Sequence, residues 1–391
     1  MGETAYPAGT VCCHHSRFRD GKLDVSCIYL WHSFSKKEEL KMEQEKEQPQ
    51  RGEEKEESED APFRFKAYHK RSLSYSSLSP QIQKKKGGSS NDDLLALTLR
   101  HGSCSIQGAR KTQEDAHAAV PTLQRPESEN VDAEVPYAFF GVYDGHGGDK
   151  ASEYVCGRLH VLFEQLVHDK VKENGEMETA TIEVLAEALR KAILTVEEEY
   201  IKKSAKSGDS SGTTAAVVVV KDNKLVIGNV GDSEVVLCDG KKAVTLSEVH
   251  NPKRNPEEGE RVKSVGGTLF QDRVGHPVFN PAIMSIAVSR AIGDYGFKAK
   301  EFTGGKPSGL VADPYIDTIE LKPRHRFCVL ACDGVWDVMS AQDVVNFVLD
   351  QLEKEQTDMD QLAKALVDNA YEKGSMDNIT ASIVIFDWAD E

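Results

Sequence analysis

An α+β fold, with helices packed on antiparallel sheets, is predicted for residues 91–391 by three observations. Short runs rich in Val, Ile and Phe, bounded by Gly, Asn or Asp, recur along this part of the chain. Long segments with apolar residues at i, i+3 and i+4 come in two separate pairs. The strand-like runs at 213–220, 224–231 and 233–239 follow one another too closely for the crossover that parallel pairing needs, so they are predicted to form an antiparallel meander. Strands in runs and helices in pairs indicate α+β layering rather than βαβ repeats.

The elements follow in order. Residues 1–90 carry charged and Ser/Gln-rich runs such as KKEELKMEQEKEQPQRGEEKEESED. They cannot bury enough apolar surface to offset ordering entropy, so a largely disordered extension is expected there. Within it, CIYLWHSF (27–34) reads as unstructured, with a docking segment as the alternative. KRSLSYSSLSP (70–80) reads as a solvated linker, with a phosphorylation or docking site as the alternative. The second part, 91–391, opens its strong signals with a strand at YAFFGVYD (137–144). Helices are predicted over 152–168 and 181–203, then the three close strands. FCVLACD (327–333) is a further strand, helices follow over 341–355 and 360–373, and ITASIVIF (379–386) closes the pattern.

Charge and cysteine usage exclude several classes. Residues 1–90 are nearly neutral, so the remainder carries the acidic surplus, a net of −18. Such a field repels nucleic acid and anionic membrane. Eight cysteines show no CxxC pairing, which argues against a zinc ribbon and for a reduced compartment. Neither a signal-peptide pattern nor a run long enough to cross a bilayer is seen, so a cytosolic or nuclear location without membrane insertion is expected. An EF-hand loop and the kinase motifs are missing from the sequence.

Acids stand at the ends of the strand-like runs. They are Asp144 in FFGVYDGHGGD, Asp333 in LACDGVWD, Asp232 in GNVGDSE and Asp377 beside Asn378 in GSMDNIT. Glu114 and Asp115 lie together in ARKTQEDAH, four and five residues after Arg110. Each acid alone also reads as a turn residue or N-cap. Carboxylates from several strand ends meeting in one cleft would repel unless they held cations. An oxygen-only donor set suits a hard divalent ion, Mg²⁺ or Mn²⁺. Spacing alone does not establish that the five sites meet.

These motifs, in their order ARKTQEDAH, FFGVYDGHGG, SSGTTAAVV, GNVGDS, ERVKSVGG, IAVSRAIGD, LACDGVWDVM and GSMDNIT, make residues 91–391 similar to the metal-dependent Ser/Thr protein phosphatases of type 2C. That resemblance implies a β-sandwich of two mainly antiparallel sheets flanked by helix pairs. It also implies hydrolysis of phosphoserine and phosphothreonine in proteins by a water activated between two ions, Mg²⁺ or Mn²⁺. By the same resemblance Glu114, Asp144 and the Gly145 carbonyl hold one ion, Asp144, Asp333 and Asp377 the other, and Asp232 with Asp333 a weaker third. Arg110 matches the residue that grips the phosphate, and His146 matches the general acid. Asp115 is expected to support a metal water. Asp294 and Asp337 read as supporting hydrogen bonds or caps, Ser289 and Arg290 as braces of the strand before Asp294, and Thr213 and Thr214 as packing residues. Phosphoproteins are the implied partners, and a monomer is expected.

Two departures stand out. Glu234 follows GDS where many relatives carry Arg, and Val249 precedes His250 where Asp is common. Residues 251–284 align with the family's variable flap and are assigned to substrate choice. A catalytically inactive phosphoprotein-binding scaffold of the same fold is the alternative, and retention of the expected acids argues against it.

Overall fold

The apolar run AAVVVVK becomes a strand, Ala215–Lys221, buried along its whole length. Ala216, Val218 and Val220 point into one apolar cluster, while Ala215, Val217 and Val219 point into another. A strand covered on both faces has no reason to alternate with polar residues, which explains the unbroken run. The structure, a computed structural model, describes residues 97–123, 137–173, 180–354 and 357–389. The expectations for 1–90, including 27–34 and 70–80, lie outside the described residues.

Two five-stranded sheets form the centre. Their strands in chain order are β1 (Leu97–Ile106), β2 (Ala116–Leu123), β3 (Tyr137–Tyr143), β4 (Ala215–Lys221), β5 (Lys224–Val230), β6 (Glu234–Asp239), β7 (Lys242–Thr245), β8 (Tyr315–Glu320), β9 (His325–Ala331) and β10 (Ile379–Trp388). One sheet runs β1-β10-β9-β6-β7 and the other β8-β5-β4-β3-β2. Every neighbouring pair is antiparallel. Phe140, Val142, Val218 and Ile227 of one sheet pack against Val235, Leu237, Leu330 and Val384 of the other. Helices α1 (Lys150–Glu173) and α2 (Ile182–Ser207) cover the outer face of the second sheet through Val155, Leu159, Leu185 and Leu189. The first sheet is covered by α4 (Ala341–Glu353) and α5 (Met359–Glu372). The predicted α+β sandwich flanked by helix pairs is the observed architecture.

Two local expectations are corrected. The meander stops after two strands: β4 and β5 pair as predicted, but β6 lies in the opposite sheet between β9 and β7. Both β5 and β6 are buried on both faces, so their sequences carry no alternation to show which sheet each joins. Gly231, at φ 95°, begins the crossing, and Asp232 sits in it. Likewise β9 ends at Ala331, and Asp333 opens a four-residue helix, Asp333–Trp336, rather than closing a strand. The turn is fixed by the Cys332 N–H, which donates to the Thr380 carbonyl of β10 at 3.1 Å.

Between β7 and β8 lie α3 (Pro256–Ser264) and a small sheet of Thr268–Phe270, Arg273–Gly275 and Ser285–Ile286. Glu258 of α3, only 3% exposed, accepts from Arg261, Arg290 and the Ser289 hydroxyl, so Ser289 and Arg290, expected to brace the strand before Asp294, turn their side chains to this helix. A second small sheet joins Gly145–His146, Gly212–Thr213 and Ile292–Gly293, segments far apart in sequence.

Candidate active site

Asp144 stands where β3 passes into that second small sheet. Its N–H donates to Thr214 Oγ1 (3.1 Å), and its carbonyl accepts from the Thr214 N–H (2.9 Å) and the Thr213 hydroxyl (3.0 Å). Thr213 and Thr214 are buried as expected, and in addition they fix the Asp144 backbone. At Gly145 a Cβ would collide with the Glu114 carbonyl, so only glycine lets these two segments meet.

Glu114 is placed by its neighbours. Its N–H donates to Asn378 Oδ1 (2.9 Å), and the Thr112 hydroxyl donates to its Oε1 (3.0 Å). Asn378 Nδ2 donates to the carbonyls of Gln107 and Thr112, both at 2.8 Å. One amide therefore fastens the loop carrying Arg110 and Glu114 to the turn carrying Asp377. The motif pattern does not assign Asn378 this role. The available signal is an amide, able to donate and accept at once, in the DN pair at a strand entrance.

The acids converge. One ligand atom each from Asp115, Asp144 and Cys332 lie within 4.8 Å of one another. Burial first, then the charges of Asp333, Asp115, Asp232 and Asp377, push the Asp144 carboxyl far above the usual range. Burial, then Asp232, Asp377 and Asp337, push Asp333 up to about 8. Asp115 is pushed up to about 6 by burial, against hydrogen bonds from Thr380 and Cys332. Burial also raises Asp232, although the Asn251 amide at 2.8 Å and the Arg254 charge oppose it. Carboxylates that raise one another in this way share one neighbourhood.

Arg110 is exposed at the rim and pairs with Asp377 Oδ2 at 2.5 Å. His146 turns Nε2 toward Asp294, 2.9 Å from both carboxylate oxygens. Burial alone would lower the imidazole. The charge and hydrogen bond of Asp294, then Asp232 and Glu114, outweigh it and raise the group. Asp294 is 3% exposed and adopts a left-handed backbone, φ 57°. It makes no side-chain cap to the short helix it precedes, so of its two expected roles the supporting hydrogen bond is the one observed. Its N–H donates to the Ser211 carbonyl (3.0 Å), and a Cβ on the neighbouring Gly212 would strike both Asp294 and His146. Asp337 donates its N–H to the Asp333 carbonyl at 2.8 Å.

The donor set fits a hard divalent cation. Asp115 Oδ1 is buried without a hydrogen-bond partner, and the Asp144 and Asp333 carboxyls are within hydrogen-bonding reach of each other. The Cys332 thiol is pushed well above its ordinary value, by burial and then by Asp115, Asp144 and Asp333, so a neutral sulfur leaves ligation to oxygen.

A two-sheet α+β sandwich with a buried acid cluster at one edge is the class that fold and site define. Residues 99–379 match the family described as PP2C, Protein phosphatase 2C. "Probable protein phosphatase 2C 21" of Arabidopsis thaliana is 31% identical over 353 residues, covering 79% of this chain and 91% of that one. "Protein phosphatase 1A" of Bos taurus is 32% identical over 293 residues, covering 74% and 71%. A solved structure, "Crystal structure of serine-threonine phosphatase 2C from Toxoplasma gondii", superposes with a TM-score of 0.61 at 24% identity. It covers 75% of this chain and 98% of that chain, and supports the fold. The chain belongs to the protein phosphatase 2C family.

Proposed function

We propose that this chain hydrolyses phosphoserine and phosphothreonine in proteins with two divalent cations, Mg²⁺ or Mn²⁺. Glu114, Asp144, the Gly145 carbonyl, Asp333 and Asp377 would hold them, with Asp232 and Asp333 taking a third more weakly. Bound there, the cations supply Lewis acidity and a water acidic enough to ionise near neutral pH. The observation that carries the reading is the cluster of mutually repelling buried carboxylates beside an exposed arginine.

The chain's own residues do the rest. Arg110 is long and exposed enough to exchange Asp377 for phosphate oxygens, which its planar fork matches. Asp115, fixed at Oδ2 by the Thr380 hydroxyl at 2.6 Å, offers its free oxygen to a water. His146 gives Nε2 to Asp294, which leaves Nδ1 to hold the proton that a departing serine or threonine oxygen needs. An alkoxide is a poor leaving group, so this proton should matter.

A non-hydrolysing scaffold gains no support, because each expected acid is present in the sequence. No described helix is long and apolar enough to cross a membrane. A monomer acting on phosphoproteins in the cytosol or nucleus completes the reading. The test is phosphate release from a phosphothreonine peptide, with Mn²⁺ and with a chelator. Release that needs Mn²⁺ and is lost in Asp333→Asn is expected. No release by the Mn²⁺-supplied wild type would overturn the reading.

A further inference from the structure

The departure at Glu234 has a structural answer. Glu234 opens β6 and is 6% exposed, in register with Ala331, two residues before Asp333. Its carboxylate pairs with Arg254, which comes from the turn leading into α3. That turn is docked along the Asp232 crossing. The His250 N–H donates to the Gly231 carbonyl (3.0 Å), the Gly231 N–H donates to His250 Nδ1 (3.2 Å), and Asn251 Nδ2 donates to Asp232 Oδ2 (2.8 Å). The Arg254 N–H closes the turn on the Asn251 carbonyl (3.0 Å). The Arg254 side chain is about two-thirds buried, and its charge reaches Asp232 and Asp337 as well as Glu234.

We propose that Arg254, anchored by Glu234, is a resident positive charge at the Asp232–Asp337 edge, set there to weaken the last divalent ion this chain binds. The pair sets an acid on β6 against a base on the flap. The charge at this edge therefore depends on where the 251–254 turn sits. Arg254 is a positioning residue: it touches Glu234 rather than the reacting atoms. The inference rests on the metal-binding reading above and concerns only its weakest step.

The opposite signs of the two partners supply the test. Mn²⁺ is titrated into the full chain, freed of metal beforehand, and free ion is followed by its electron paramagnetic resonance signal. The number of ions held is compared at matched free Mn²⁺. Removing the positive charge in Arg254→Gln should tighten the last ion on the order of tenfold at low salt. Glu234→Gln should loosen it, the double variant should fall back toward wild type, and Arg254→Lys should stay near wild type. If the pair merely holds the turn in shape, both single variants loosen the last ion alike and the double is no better, which overturns the proposal. An unchanged last step in Arg254→Gln overturns it too. If Arg254→Gln does not fold, the Glu234→Gln and double-variant titrations decide in its place. Loosening in the first that the double variant reverses supports the proposal, and any other pair of results rejects it. Failure of wild type to retain its first ions would instead reject the metal reading itself, so the two failures are distinguishable.

Discussion

Glu258 and Asp333 are both buried carboxylates, and the protein treats them in opposite ways. Burial would raise Glu258, yet hydrogen bonds from Arg290, Arg261 and Ser289 bring it down to about 2. Burial raises Asp333 to about 8, and the charges of Asp232, Asp377 and Asp337 push it the same way, against a hydrogen bond with Asp144. A carboxylate that holds structure is folded together with its counterions. Asp333 is folded among other carboxylates, and the repulsion among them marks a place suited to added positive charge.

The contrast can be broken most sharply at Asp333. Asp333→Asn should lower phosphopeptide turnover on the order of 10³-fold while leaving the metal-free fold as stable as wild type or more so, because a repelling charge is removed. A large loss of metal-free stability would place Asp333 in the same class as Glu258. The next effect is at His146. Asp294→Asn should reduce turnover of a phosphothreonine peptide by about 10²-fold, and turnover of an aryl phosphate, whose leaving group needs no proton, far less. Equal losses on both substrates would assign Asp294 to folding alone.

Glu258→Ala should do the reverse of Asp333→Asn. Leaving Arg261 and Arg290 without their acid should cost about 3 kcal/mol of stability by denaturant unfolding. The folded enzyme should still bind Mn²⁺. Loss of ion binding with unchanged stability would erase the distinction. Titration sharpens it further. Glu258 has its pKa depressed on folding, so its contribution is present above 4.5 and lost as pH falls toward about 2. Asp333 has its pKa raised, so in the metal-free protein its contribution is present below 3.8 and lost as pH rises to about 8. With chelator, melting temperature should therefore decline between mildly acidic and mildly alkaline pH, and Mn²⁺ should abolish the decline. A flat profile in chelator would contradict the repulsion.

Much of this was legible in the sequence. The strands buried on both faces announce themselves as apolar runs, and the acids at their ends point to the candidate site. What stayed hidden depended on three-dimensional neighbours. β8, YIDTIE, is half exposed and has no apolar run to mark it. The destination of β6 could not be read from VVLC, which suits either sheet equally. Asn378 and Asp294 act through partners 264 and 148 residues away, a separation that no local pattern reports. The Arg254–Glu234 pair was visible only as an anomaly at position 234, because its compensation lies 20 residues on.

The central claim is that Asp144 and Asp333 are buried among other acids so that cations can complete them. Melting wild type and Asp333→Asn, each with chelator and with Mn²⁺, tests it most directly. Saturating Mn²⁺ should raise the wild-type midpoint by roughly 5–10 °C. In chelator the variant should melt no lower than wild type, and it should gain less from Mn²⁺. A wild-type midpoint indifferent to Mn²⁺, with the variant melting lower in chelator, would contradict the account.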